Sequence, residues 1–182
     1  MEIKITILKS FFEEPNRKFS IRQLSRILKI NHTTIRQHLN KLVKEGFLSL
    51  KKEEIYSFYQ LVLSKKTLNL KLYYNLEKIR ISNLVEYLEK EYDLPTIILF
   101  GSYASAMDDI TSDVDICIIS NINKEFVAQK YEKTLGRKVS IHKFTKISWE
   151  KAKKTNPNLI NNICNGLVLS GELEALWILN TI

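Results

Sequence analysis

The sequence contains few of the residues that cross-link or break a chain, and it has no long apolar run. Its 182 residues include two Cys, three Pro and five Gly. Two cysteines without CxxC or Cys/His spacing exclude a disulfide framework and argue against a zinc site. The longest apolar stretches, Thr96 to Phe100 and Ile116 to Ile119, fall short of the roughly 20 residues of a membrane helix. With 45% hydrophobic and 26% charged residues, the composition is that of a globular protein of one or two domains.

Charged residues interrupt the apolar N-terminus. Glu2, Lys4 and Lys9 leave no continuous hydrophobic segment of the kind that a secretory signal needs. We therefore expect a cytoplasmic protein that makes no use of a membrane. In that compartment Cys117 and Cys164 are expected to be reduced, small core residues.

The net charge of +8 is concentrated in the first third of the chain. Residues 1–62 hold twelve Lys and Arg against six Asp and Glu, whereas residues 63–93 hold six against five and residues 94–182 ten against nine. A basic module thus precedes a nearly neutral one. A local positive excess raises the affinity for polyanions, although a solvated basic face without a partner would give the same count.

Three helices and a hairpin are predicted in the first sixty residues. Apolar residues at helical spacing in segment 2–14 predict a first helix that stops at Pro15. Ser20 with Gln23 forms a capping-box pattern that opens a second helix. A third begins at Asn31 as cap, continues to Glu45 and ends at Gly46. A period of two then predicts a hairpin over 47–59 with a polar tip, Lys51-Lys52-Glu53-Glu54.

The third helix has one polar face that suits base edges and phosphates. Its residues are Thr33, Thr34, Arg36, Gln37, Asn40, Lys41 and Lys44. The phrase SIRQLSRILKINHTTIRQHLNKLVKEGFL, followed by the hairpin, resembles the winged helix-turn-helix family of DNA-binding domains over residues 1–62. The resemblance implies that this helix enters a major groove of duplex DNA while Lys51 and Lys52 contact phosphate. Winged helices also serve as protein-docking modules, and the acidic Glu53 and Glu54 dilute the charge of the wing.

Residues 63–93 contain no Pro or Gly and have apolar residues at helical intervals. They predict one kinked helix or two short ones. Three tyrosines, Tyr73, Tyr74 and Tyr87, add apolar surface. This surface is either ordinary core or a contact with a partner, including a second copy of the chain in a homodimer.

Two aspartates follow a buried strand in the C-terminal half. The strand Thr96 to Phe100 leads into Gly101 and Ser102, and after ten intervening residues come Asp113 and Asp115. Residues i and i+2 of a strand project from the same face, so the two carboxylates lie side by side. Oxygen ligands of this kind suit Mg²⁺ or Mn²⁺, while a glycine lets phosphate approach the backbone and a serine donates to it. A pair of aspartates at a strand end can also simply face water.

The segment LFGSYASAMDDITSDVDICII, with the spacing G-S-x10-D-x-D, is similar to the signature of the DNA polymerase beta-type nucleotidyltransferases. The closest likeness is to the minimal nucleotidyltransferases, including those paired with HEPN toxins, and it covers residues 68–182 with a helical stretch at 158–178. It implies that Gly101 and Ser102 bind the nucleotide phosphates and that Asp113 and Asp115 bind Mg²⁺ or Mn²⁺. The activity implied is transfer of a nucleoside monophosphate from ATP or another nucleoside triphosphate to a hydroxyl, which a HEPN-type toxin or another protein can carry.

One carboxylate of that pattern is missing. Family members usually complete the site with an acid on a later strand, but the expected strand, 137–144, contains no Asp or Glu. Ser140 or His142 occupies the expected place, and His142 is either a base or an ordinary strand histidine. Asp108 and Asp109 either swing toward the metal or form a solvated pair in a turn.

The sequence thus predicts an α+β protein. A winged helix-turn-helix domain (1–62) and a helical connector (63–93) precede a minimal nucleotidyltransferase domain (94–182) with a small mixed sheet packed with helices. Three functions stay open: a metal-dependent nucleotidyltransferase that uses DNA binding for targeting or autoregulation, as in a toxin-antitoxin pair; a transcriptional regulator with a degenerate, nucleotide-sensing domain; and a scaffold.

Overall fold

A computed structural model describes residues 2–53 and 56–173, and it has the α+β architecture that the sequence predicts. The chain divides into two compact units. Residues up to 74 together with 108–110 form the N-terminal unit, and residues 75–107 with those from 111 onward form the C-terminal unit. In the described ranges, no helix combines the length and apolar character needed to cross a membrane.

The N-terminal unit is a helical trio followed by a hairpin, as predicted. Its polar caps start the helices where expected: the Ser20 hydroxyl accepts from the Gln23 amide at 3.3 Å, and the Asn31 side chain accepts from the Thr34 amide at 2.8 Å. Gly46 ends the third helix with a φ of +78°, a conformation that favours glycine. The elements are α1 (Glu2–Glu13), α2 (Ile21–Leu28), α3 (His32–Lys44), β1 (Leu48–Glu53), β2 (Tyr56–Leu61) and the first half of α4 (Lys65–Ser82).

One apolar core holds this unit together. Apolar residues at helical spacing on α1, α2 and α3 are fully buried against the hairpin, and Phe19 extends the hairpin by pairing with Tyr59. The fully buried members are Ile7, Leu8, Phe11, Phe12, Phe19, Leu24, Ile35 and Leu39. Because these residues use the inward faces of the helices, the polar face of α3 is left toward solvent.

The C-terminal unit is built around a four-stranded mixed sheet. After the second half of α4, its elements are α5 (Leu84–Glu91), β3 (Thr96–Phe100), α6 (Gly101–Ala104), β4 (Val114–Ile119), α7 (Gln129–Leu135), β5 (Val139–Phe144), α8 (Lys146–Thr155), α9 (Pro157–Cys164) and β6 (Leu167–Ser170). The strands lie in the order β5-β4-β3-β6. Strand β4 pairs with β3 in antiparallel fashion and with β5 in parallel fashion.

Each face of this sheet packs into its own core. Ile97, Leu99 and Ile116 belong to one cluster with residues of α5 and α7. Ile98 and Cys117, from alternate positions of the same strands, pack with Trp149 and with α9. Asp115 shares the second face, since it lies two residues before Cys117 in β4.

The helix predicted for the end of the chain is only partly correct. The stretch predicted for 158–178 is interrupted, because α9 ends at Cys164 and β6 follows. Residues 167–170 form a strand since they pair with β3, a partner about seventy residues earlier in the chain. Residues 174–182 of the same prediction lie outside the described residues. Cys164 is exposed, whereas Cys117 is buried as expected.

Candidate functional site

The glycine-serine pair and the aspartate pair come together at one end of β3 and β4. Phe100, the last residue of β3, lies opposite Asp115 in the antiparallel register, and Gly101 follows immediately. Asp113 directly precedes β4 and is exposed, whereas Asp115 is half-buried. Four residues that the sequence singles out therefore belong to two adjacent strand ends, in spite of the ten residues between Ser102 and Asp113.

The backbone at Gly101 packs directly against the Asp115 carboxylate. Gly101 has a φ of +74°, and a Cβ placed there would lie 2.5 Å from Oδ2 of Asp115. Any side chain at this position would both strain the backbone and push the carboxylate away. The residue at the N-cap of α6 is Phe100, whose side chain cannot accept a hydrogen bond from the first amides of this short helix.

The electrostatic surroundings of Asp115 disfavour its charged form. Burial raises the pKa of this carboxyl group, the neighbouring Asp113 carboxylate raises it further, and His142 acts in the opposite direction. An exposed carboxylate thus lies near a half-buried one, and a cation placed between them would relieve their repulsion.

Strand β5 brings a serine and a histidine to the same face, where the family pattern has an acid. Ser140 lies opposite Asp115 in the parallel register, and His142 lies opposite Cys117. The Ser140 hydroxyl is 3.5 Å from Nε2 of His142, and the imidazole packs edge-on against Phe100 at 5.2 Å between ring centroids. In the described part of the chain, no group of three or more His, Cys, Asp and Glu side chains is arranged to hold a metal ion.

The predicted polar face of α3 is solvent-exposed at six of its seven positions. Thr33, Arg36, Gln37, Lys41 and Lys44 are exposed, and Thr34 is half-buried. Asn40 is exposed as well, and its side-chain oxygen accepts a hydrogen bond from the Tyr59 hydroxyl at 3.3 Å. This bond ties the middle of α3 to the hairpin.

The hairpin places its two lysines before the tip rather than on it. Strand β1 continues to Glu53, so Lys51 and Lys52 are strand residues that lie opposite Phe58 and Ser57. Both are exposed, but neighbouring strand residues project from opposite faces, so the two ammonium groups leave the hairpin in different directions. The predicted tip residue Glu54 lies outside the described residues.

Comparison with protein-family models gives two matches in separate parts of the chain. Residues 82–171 match the model described as polymerase beta, nucleotidyltransferase, and residues 2–49 match the model described as bacterial regulatory protein, arsR family. The chain is a fusion of these two domain types. No curated protein and no solved structure matches it. The nucleotidyltransferase match includes the glycine-serine pair and both aspartates, and the arsR-type match includes the whole of α3.

The donor set of the nucleotidyltransferase domain fits a divalent cation of the Mg²⁺ or Mn²⁺ type. Its carboxylates, Asp113 and Asp115, are hard oxygen ligands. The charge of Asp113 raises the pKa of Asp115, so the two carboxylates repel each other. Cys117, the next residue on this face, offers no thiolate, because burial raises its pKa to about 12 and the nearby Cys164 adds to the rise. The remaining coordination positions would be open to water and to substrate phosphate.

The segment between the two halves of the motif is fixed by two residues that sequence reasoning missed. The prediction of a solvated Asp108–Asp109 pair is wrong for Asp108, which is buried and forms an ion pair with Lys71 of α4. Four residues later, the Asn75 amide donates to the Tyr103 carbonyl at 3.0 Å. A four-residue repeat of polar residues on one face of α4, Thr67, Lys71 and Asn75, was the available signal.

Proposed function

We propose that the C-terminal domain is a metal-dependent nucleotidyltransferase that moves a nucleoside monophosphate from ATP or another nucleoside triphosphate to an acceptor hydroxyl. The observation that carries this proposal is the packing of the Gly101 backbone against the Asp115 carboxylate, 2.5 Å from the position of a Cβ. Phosphate-binding backbone and cation-binding carboxylate are thereby adjacent, as transfer from a triphosphate requires.

The chain's own residues would divide the work as follows. Asp113 and Asp115 hold the cation, and the Gly101 and Ser102 amides with the Ser102 hydroxyl donate to phosphate oxygens. When bound, the divalent cation would neutralise part of the negative charge of the triphosphate. The acceptor oxygen forms a bond to the α-phosphorus, the bond to the oxygen that bridges to the β-phosphorus breaks, and pyrophosphate leaves. The acceptor proton goes to solvent or to the imidazole of His142.

Incubation of the full chain with Mg²⁺ and ATP labelled at the α-phosphate tests this proposal, alone and with candidate acceptor proteins and nucleic acids. Wild type should incorporate label, and Asp115→Asn should not. Asp93→Asn is the matched control, because Asp93 is an exposed acid of the same unit and loses the same charge. Equal incorporation by wild type and Asp115→Asn would contradict the proposal.

A second function is favoured by the residue opposite Asp115. Ser140 lies opposite Asp115, and β5, the strand on which family members carry the third acid, contains no carboxylate. A domain that binds a nucleoside triphosphate without transferring it would report nucleotide levels to a DNA-binding regulator. Metal-dependent ATP binding without label transfer to any acceptor would support this sensing role over the enzyme.

For the N-terminal unit we propose binding of duplex DNA through α3 and the hairpin. Support comes from the exposed polar face of α3, from Lys51 and Lys52, and from the match to regulatory proteins of the arsR type. Arg36→Ala and Lys41→Ala should weaken binding to duplex DNA, whereas Lys9→Ala, which removes a charge from an exposed position of α1, should have a smaller effect. Wild-type affinity should fall linearly on a log–log plot against salt, and salt-independent binding would contradict the proposal.

Two partners expected from the sequence remain proposals. Tyr73 is exposed on α4, whereas Tyr74 is buried and donates to the Glu13 carboxylate at 2.6 Å. Only Tyr73 of this pair is thus available for a second copy of the chain, and sedimentation of the purified protein would establish whether a homodimer forms. A HEPN-type toxin is one candidate acceptor for the labelling experiment.

A further inference from the structure

Helix α4 carries two buried polar side chains whose partners lie in the segment between Ser102 and Asp113. Lys71 belongs to the N-terminal unit with its partner Asp108, and Asn75 belongs to the C-terminal unit with its partner Tyr103. The two residues are four apart, so they lie on one face of the helix, one turn from each other. Each contact therefore lies within a single unit.

The Lys71 contact is double and excludes water. Its ammonium group lies 3.1 Å from the Asp108 carboxylate and also donates to the Asp108 backbone carbonyl, and both side chains are only 2% exposed. A buried ion pair of this kind is not needed for stability, because apolar residues of the same size often stabilise as well. The bond to a main-chain carbonyl, however, fixes the backbone itself and not only a side chain.

The Asn75 contact holds the beginning of the same segment. Asn75 is 1% exposed, and its amide donates to the carbonyl of Tyr103, the residue that follows Ser102. Two main-chain carbonyls, at positions 103 and 108, are thus held by one face of α4. Between Ser102 and Asp113 the chain makes the turn that brings the glycine-serine pair next to the aspartate pair.

We infer that Lys71 and Asn75 are positioning residues for nucleotide and metal binding: they hold the segment 103–108 so that Gly101 and Ser102 face Asp113 and Asp115. This inference rests on the nucleotidyltransferase function proposed above. Neither residue touches the substrate; both act through the backbone that joins the two halves of the site. Removal of a group that hydrogen-bonds a metal ligand directly lowers metal affinity by about 10–100-fold, and we expect an effect near the lower end for residues that act through the backbone.

The first test is calorimetric titration of the full chain with Mn²⁺ and ATP. Lys71→Met and Asn75→Ala should each weaken binding by about tenfold or more. Lys65→Met and Asn69→Ala are the matched controls, since both residues are exposed on the same helix, and they should bind as wild type does. Wild-type affinity in Lys71→Met and Asn75→Ala would overturn the inference.

A double variant separates positioning from stability. In Lys71→Met the buried Asp108 carboxylate loses its ion pair with Lys71, so this variant should melt at a lower temperature than wild type. In Lys71→Met/Asp108→Leu both members of this ion pair are apolar, so the melting temperature should recover, but the bond to the backbone carbonyl is still missing. We expect the weakened Mn²⁺ and ATP binding to persist in the double variant. Recovery of both melting temperature and binding would show that Lys71 has a structural role alone.

Hydrogen exchange distinguishes failure of this inference from failure of the proposed function. Amides of residues 103–108 should lose protection in Lys71→Met/Asp108→Leu, while those of β3 and β4 keep theirs. If wild type bound no Mn²⁺ and ATP but this loss were seen, the proposed function would fail and the anchoring of the segment by α4 would stand. Unchanged protection of residues 103–108 would overturn the anchoring.

Discussion

Replacement of Gly101 by alanine should separate the stability of the nucleotidyltransferase domain from its ability to bind a metal-nucleotide complex. Two effects act at this position. The φ of +74° is a conformation that costs an alanine about 1–2 kcal/mol, partly offset by about 0.4–1 kcal/mol from the lower entropy of the unfolded chain. The second effect is the contact with the Asp115 carboxylate.

Gly136 provides the control for the first effect. Its φ is +67°, and a Cβ added there would meet nothing within 4 Å. Gly136→Ala should therefore lose about 1 kcal/mol of stability, which for a chain of this length lowers the melting temperature by about 2–4 °C. Gly101→Ala should lose a similar amount of stability, because the atom nearest to the new Cβ is Oδ2 of Asp115, at the end of a side chain that can rotate.

The contact with Asp115 should appear in binding instead. A new Cβ at 2.5 Å from Oδ2 has to reach an ordinary contact of about 3.4 Å, so the carboxylate moves by about 0.9 Å. Metal ligands are placed to within about 0.2 Å, so a displacement of this size removes Asp115 from the coordination shell. We expect Gly101→Ala to weaken Mn²⁺ and ATP binding by about 10–100-fold and Gly136→Ala to leave it unchanged.

Calorimetric titration of both variants, with melting temperatures measured on the same samples, is the assay. The reasoning is refuted if Gly101→Ala binds Mn²⁺ and ATP as tightly as wild type does. Equal losses of binding affinity in Gly101→Ala and Gly136→Ala would also refute it, because general destabilisation would then explain the effect. In an Asp115→Asn background, Gly101→Ala should add little to the loss, since the two changes act on the same carboxylate.

Three further changes have outcomes that the structure determines. Burial raises the folded-state pKa of Asp115 above its ordinary 3.8, so the metal-free protein should lose stability as the pH rises through that raised pKa. Urea unfolding at several pH values measures this dependence, and Asp115→Asn should remove it. A pH profile that Asp115→Asn leaves unchanged would contradict this assignment. Gly166→Ala should destabilise by about 1–3 kcal/mol, more than Gly136→Ala, because its Cβ would press on the Leu99 and Ile163 carbonyls, which cannot rotate away; urea unfolding measures the difference. Ser20→Ala should cost the N-terminal unit about 1 kcal/mol in the same assay through loss of the α2 cap, and no loss would argue against the capping box.

The features that the sequence predicts well depend on neighbouring residues. Ser20 and Gln23 cap α2 from three positions apart, and Gly46 ends α3 at the position where a left-handed residue is needed. Asp113 and Asp115 are likewise two positions apart at the start of β4, and Gly101 and Ser102 are adjacent after β3. Short-range hydrogen bonds and periodicity contain enough information for such features, because each partner is within a few residues of the other.

The features that escaped prediction depend on distant partners. Ile160, Ile163 and Leu167 continue a helical spacing, yet Leu167 belongs to β6 because β3 offers it a paired edge. Lys71 and Asp108 are 37 residues apart, and neither position indicates in the sequence that the other will neutralise its charge. A buried lysine could be suspected from the spacing of Thr67, Lys71 and Asn75 in α4, but its partner could not be named.

The departures from ordinary packing rules concentrate in the segment that contains the site. Between residues 101 and 115 the chain has a left-handed glycine in contact with a carboxylate, a buried ion pair, and two like charges near each other. Each of these arrangements costs stability or contributes little to it, whereas the caps and cores of α1 to α3 agree with local preference. A fold maintained only as a scaffold would gain stability by replacing Asp115 with a neutral residue. The presence of this half-buried carboxylate, next to a glycine that leaves room for it, therefore favours a ligand-binding role over a purely structural one.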